Sequence, residues 1–149
     1  MPENIFSGNF WCTMEDQNTD HEFGHTGREL ELMLSGAKPL SMFYDDPDEI
    51  IHPPLIPEFE FDPYVEKGLF KKASRIFDLA INPKTGKPYR IRYVLYALAS
   101  EEWRMPALLL TKEISLKVKM PNEAIDRIVS TLLGYSEQEI EAHFGFGRS

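Results

Sequence analysis

A chain of 149 residues with a formal net charge of −8, 42% apolar and 27% charged, has the size and balance of one globular domain with a core of its own. Its one cysteine, Cys12, excludes an intrachain disulfide framework and any cysteine-based zinc cluster. No apolar run approaches the roughly 18 residues of a membrane span. The opening Met1–Phe6 lacks the basic and apolar regions of a secretory signal, so the expected location is cytoplasmic.

Residues 1–20 carry Phe6, Phe10 and Trp11 among polar and acidic neighbours. They read as an N-terminal arm, with a short strand over 9–14, whose aromatics pack back on the body. Residues 21–149 then form a single domain. Within it, Thr26-Gly27-Arg28-Glu29 has the spacing of a capping box, so a helix is expected from Thr26 to about Ser35, stopped by Gly36. Leu40 to Tyr44 reads as a short buried strand. Between Asp45 and Asp62, Pro47, Pro53, Pro54 and Pro57 remove backbone donors and fix φ, which predicts an extended loop. A short helical turn is expected from Asp62-Pro63 to Gly68.

The organising element is a hairpin over about 70–98. Its turn, Asn82 to Pro88, has the proline and glycine punctuation that reverses a chain. After it, Tyr89, Ile91, Tyr93, Leu95 and Ala97 alternate with Arg90, Arg92, Val94, Tyr96 and Leu98, a period-two strand pattern. Three helices are predicted beyond the hairpin. The first starts between Ser100 and Arg104 and places Trp103, Ala107, Leu110 and Ile114 on one face. The second follows Asn122 and carries Ile125, Val129, Leu132 and Leu133 up to Gly134. The third opens with the capping box Ser136-Glu137-Gln138-Glu139. The expected fold class is α+β: a small antiparallel sheet built on the central hairpin, with amphipathic helices packed on one face.

Charge is polarised along the chain. Asp45, Asp46, Asp48, Glu49, Glu58, Glu60 and Asp62 occupy 45–62 with no Lys or Arg. Lys71, Lys72, Arg75, Lys84, Lys87, Arg90 and Arg92 occupy 71–92 against Asp78 alone. The acidic proline loop has two uses: gripping a basic partner protein, or lying over the chain's own basic hairpin. In the first use the expected partner-binding residues are Asp45, Asp46, Asp48, Glu49, Glu58, Phe59 and Glu60. The molecule would then be a small acidic protein-binding module of inhibitor or toxin-neutralising (immunity) type, needing no cofactor and no membrane.

Two other chemistries are weighed beside it. His21-Glu22-Phe23-Gly24-His25 matches the H-E-x-x-H zinc signature, in which two imidazoles one helical turn apart hold the metal and the glutamate activates its water. In this zinc-dependent hydrolase His21, His25 and Glu31 are the ligands and Glu22 the base. Helical phase opposes it, since a helix that begins at Thr26 leaves both imidazoles upstream. The basic hairpin with Tyr89, Tyr93 and Tyr96 carries the ingredients of a nucleic-acid platform, cations for phosphate and rings for stacking; the acidic neighbouring loop works against that use.

Overall fold

The computed structural model describes residues 25–118 and 122–145. Its elements in chain order are α1 (Glu29–Leu34), β1 (Leu40–Asp45), α2 (Glu58–Glu66), β2 (Phe70–Ile81), β3 (Pro88–Leu98), a 3₁₀ turn (Ala99–Glu101), α3 (Arg104–Val118), α4 (Glu123–Leu132) and α5 (Glu137–Gly145). β2 and β3 form the expected hairpin, and β1 pairs antiparallel with the far side of β3, giving the order β1-β3-β2. This is the α+β class that the sequence implies. The residues of the 1–20 arm lie outside the described part.

The register explains why β3 is the centre. Leu40, Met42 and Tyr44 stand opposite Ala97, Leu95 and Tyr93, while Ala73, Arg75 and Phe77 stand opposite Leu95, Tyr93 and Ile91. Directly paired residues share a sheet face, so Ile91, Tyr93, Leu95 and Ala97 head a cluster that includes Met105, Leu108, Val129, Leu133, Tyr135 and Ile140 of the C-terminal helices. The alternate residues Val94 and Tyr96 join Phe70, Phe61, Ile56 and Met33 in a second cluster on the opposite face. Helices α3–α5 cover one face, and the shorter α1 and α2 cover part of the other. β3 is therefore buried on both sides.

Two boundaries and one buried face differ from the sequence reading. α1 starts at Glu29 with Arg28, not Thr26, at its N-cap position. Gly27 has φ +83°, a left-handed conformation that cannot serve as the first residue of a helix. The Glu29 carboxylate accepts instead from the Gly27 N–H at 3.1 Å. The same four-residue pattern works at α5, where Glu139 N–H donates to Ser136 Oγ and Ser136 N–H to Glu139 Oε1, at 3.1 and 2.9 Å. α2 begins at Glu58, so it replaces the last part of the expected loop and holds Pro63 in its interior. Its buried residue, Phe61, meets Phe43 edge-on at 5.2 Å and Tyr96 at 4.7 Å between centroids. That packing outweighs the one helical hydrogen bond that Pro63 cannot donate.

The third difference concerns α3. It buries Met105, Leu108, Lys112 and Ser115; of the expected face only Ala107 packs against the core, while Leu110 and Ile114, and Trp103 just before the helix, are exposed. Both faces carry enough apolar residues to serve as the core face. Met105 and Leu108 win because they meet the β3 side chains of the first cluster.

Candidate functional site

β1 and β3 bring the acidic segment onto the basic hairpin. Asp45 stands opposite Arg92 in the sheet register, and the two form a bidentate pair with Nε···Oδ1 3.0 Å and Nη2···Oδ2 2.9 Å. Arg92 also donates to Glu58 at 3.1 Å. Lys72, on the same sheet face two strand positions from Ser74, reaches Glu58 at 2.7 Å and Asp62 at 2.9 Å. Tyr96 closes the chain of contacts by donating its hydroxyl to Asp62 at 2.7 Å. Farther along the hairpin Arg90 holds Asp48 through Nε and Nη2 at 3.0 and 2.6 Å. Asp46 is 9% exposed and its Oδ1 accepts from the Asp48 N–H.

The electrostatics follow from those contacts. Burial works against ionisation of Asp62, yet the hydrogen bonds from Tyr96 and Lys72 hold its carboxyl below the usual aspartate range. Burial and the bond to Asp62 push the Tyr96 hydroxyl well above its ordinary value, so it stays a neutral donor. The hydrogen bond to Asp45, followed by the nearby charges, raises Arg92 further. The Arg90 bond lowers Asp48. Tyr96 is fully buried, so replacing it with phenylalanine leaves shape unchanged and removes one donor from Asp62. Tyr96→Phe is expected to lose roughly 1–2 kcal/mol in denaturant unfolding. A stability equal to the parent would show that Lys72 alone satisfies Asp62.

Of the seven expected partner-binding residues, Asp45, Asp48 and Glu58 are thus engaged with the chain's own hairpin. Glu49 and Glu60 lie at the surface. Phe59 is 91% exposed, on the first turn of α2 and turned away from Phe61. Ile50 at 88%, Leu55 at 58% and Ile51 at 37% are the other outward aliphatic residues of the segment, whereas Ile56 is buried in the second cluster. Between this segment and the hairpin turn lies a cleft of about 780 Å³, with Asp46, Asp48 and Glu49 on one wall and Asn82, Thr85, Lys87 and Tyr89 on the other.

No family model, curated protein or solved structure matches this chain. Its chemistry is read from its own residues.

His21 and Glu22 of the H-E-x-x-H motif lie outside the described residues. His25 is 9% exposed and stacks on Tyr135 with centroids 3.7 Å apart. The Lys38 ammonium, itself fully buried, donates to His25 Nδ1 at 2.9 Å and to the Leu133 carbonyl at 2.8 Å. His25 N–H donates to the Tyr135 hydroxyl, and Nε2 faces Glu139 at 3.8 Å. An ammonium on Nδ1 requires a lone pair there, so the ring carries its proton on Nε2. Glu31 is exposed on α1. Among the described residues no three His, Cys, Asp or Glu side chains stand close enough to hold a metal ion, and no helix is long and apolar enough to cross a membrane. Arg90 and Arg92, the cations of the nucleic-acid reading, are paired with Asp48 and Asp45.

The sequence reading missed the Lys38–His25–Tyr135 cluster. Its members are separated by up to 110 positions, and only the tertiary fold joins them.

Proposed function

We propose that this protein is a protein-docking module of inhibitor or immunity type, whose contact surface is the segment 46–60. The observation that carries the reading is the exposure of Phe59 and Ile50 on a segment whose neighbours are tied down. Arg92 holds Asp45 immediately before it, Arg90 holds Asp48 in its first part, and Glu58 and the buried Ile56 hold its second. Large apolar side chains on a restrained backbone lose little conformational entropy on binding, which is what makes an effective anchor. Glu49 and Glu60 supply the rim charge. The partner surface is correspondingly an apolar recess bordered by Lys or Arg, and the acids raise the encounter rate while the apolar residues set the lifetime.

A pull-down from native lysate with the full chain tests this reading. Phe59→Ala and Ile50→Ser are expected to weaken capture of a specific partner, each by about tenfold or more for a true anchor, without lowering the melting temperature. Glu49→Lys with Glu60→Lys is expected to slow association and to reduce its salt dependence. Capture undiminished by Phe59→Ala and Ile50→Ser together would remove the segment as the contact surface.

A further inference from the structure

The two edges of the sheet are treated differently. At the β1 edge Leu40, Ser41 and Met42 are 0%, 0% and 3% exposed, so their backbone is enclosed along with their side chains. β2, the other edge, is open over its middle, where Ser74, Arg75, Ile76 and Asp78 are all exposed. The register says where its hydrogen bonds go. Phe70 stands opposite Leu98, which sets Leu69 opposite Ala99, and Ala99 N–H donates to the Leu69 carbonyl at 3.1 Å. In an antiparallel pair, residues bonded to the partner strand alternate with residues whose N–H and C=O point away from it. Lys71, Ala73, Arg75 and Phe77 therefore direct their backbone groups at β3, while Lys72, Ser74, Ile76 and Asp78 direct theirs outward. Among the described residues nothing bonds the outward groups of Ser74 and Ile76. Such a row of groups is a template for one more strand.

Beside this edge a groove of about 540 Å³ opens between β2 and α3, bordered by Ala73, Trp103, Pro106 and Leu109. A strand laid on β2 would project alternate side chains into it. We propose that this strand is β2 of a second copy of the chain, antiparallel about a twofold axis at Ile76, so that the two sheets join into one. In such a pairing every contact occurs twice, residue i on residue j and j on i. An axis at Ile76 sets the two exposed isoleucines opposite each other and the Ser74 hydroxyl opposite the Asp78 carboxylate of the copy. It also sets Ala73 opposite Leu79, which packs on the same sheet face and so meets the apolar groove.

Charge selects that register. An axis at Arg75 would place the arginine against itself, and like charges directly opposite are destabilising. An axis at Ser74 would leave Ile76 opposite Lys72 and Asp78 opposite the buried Phe70. At Ile76 the cations of β2 do not resist the pairing, because their charge is met within each chain: Lys72 by Glu58 and Asp62, Arg75 by Glu113 at 3.3 Å. Lys71 and its copy fall ten positions apart, roughly 33 Å along the strands and well beyond the screening length. The edge shares no residue with the 46–60 segment, and either assignment stands without the other.

Sedimentation velocity on the full-length protein tests the pairing. The chain is expected to reach twice its monomer mass as its concentration rises through the micromolar range. Ile76→Lys sets two ammonium groups against each other at the axis and is expected to raise the dimer dissociation constant by about tenfold or more. Ser74→Pro is expected to do the same, since it removes an N–H that bonds nothing within one chain. Circular dichroism checks that the helices and sheet persist in both. Disulfide formation in Cys12→Ser protein reads the register. Ile76→Cys brings its Cα atoms to about 5.5 Å across the axis, within disulfide reach, whereas Ser74→Cys leaves them roughly 14 Å apart. Mild oxidation should therefore link Ile76→Cys chains in pairs and leave Ser74→Cys chains single. A monomer at every concentration, a dimer indifferent to Ile76→Lys, or a bridge at Ser74→Cys and not at Ile76→Cys would overturn the proposal.

Discussion

Gly134→Ala is expected to destabilise the protein by roughly 3 kcal/mol or more, from left-handed strain of about 1–2 kcal/mol and overpacking of similar size. Gly134 ends α4 with φ +94°, and its N–H donates to the Thr131 carbonyl while Tyr135 N–H donates to Ser130. A Cβ placed there would collide with Cδ and Cγ of the Pro39 ring. A proline ring cannot rotate away, so either β1 or the α4–α5 corner must shift. The control is Gly36→Ala. Gly36 has φ +83° but nothing within 4 Å of its would-be Cβ, so only the backbone strain applies. Its expected loss is about 1–2 kcal/mol. Thermal unfolding should separate the two variants by several degrees. Equal losses would mean that the Pro39 contact relaxes without cost, and that the join between β1 and the C-terminal helices is looser than its geometry indicates.

That join sits next to Lys38 and Tyr135, and it shows what kinds of structure a sequence can and cannot announce. The hairpin was legible because β3 alternates through Ile91, Tyr93, Leu95 and Ala97, and period two has no helical counterpart over so long a run. The α3 face was not legible. Trp103, Leu110 and Ile114 recur with the same helical period as Met105, Leu108 and Lys112, so periodicity identifies a helix without saying which side is inward. Only the shape of the sheet decides that. Nor was the division of the acidic segment legible. In Glu58-Phe59-Glu60-Phe61 the two phenylalanines would share a face on a strand, but on a helix they sit about 200° apart. Helix α2 therefore buries Phe61 and exposes Phe59. The two capping boxes make the same point. Ser136 and Thr26 each precede a glutamate by three positions, yet the left-handed Gly27 beside Thr26 prevents the second from starting a helix. Of the candidate site, the opposite charges of 45–62 and 71–92 pointed to mutual attraction. The particular pairs depend on the β1–β3 register that sets Asp45 across from Arg92.

Stability is expected to fall as pH drops below about 6.5, and His25 is the main cause. Burial, then the charges of Lys38 and Arg28, lower its pKa from 6.5 to about 3. Glu139, 3.8 Å from Nε2, favours the protonated ring but is outweighed. The stacked Tyr135 ring adds no charge. The sign follows from linkage. Above pH 6.5 the imidazole is neutral in both folded and unfolded chains, and the full stability is present. Between 6.5 and about 3 the unfolded chain takes up a proton that the folded one refuses, so folding is disfavoured by up to about 1.4 kcal/mol per pH unit. At pH 5 the expected loss is about 2 kcal/mol relative to pH 8. His143, whose pKa burial also lowers, adds a smaller loss of the same sign. Asp48, Asp62 and Glu101, all lowered by their hydrogen-bond partners, contribute a separate loss only at more acid pH. Urea unfolding of the parent and of His25→Gln between pH 5 and 8 isolates the effect, since glutamine can still accept from Lys38 but cannot titrate. The variant should keep only the shallow slope due to His143. A parent slope unchanged by the substitution, or an NMR titration placing His25 near 6.5 in the folded protein, would show that Lys38 does not hold the ring neutral.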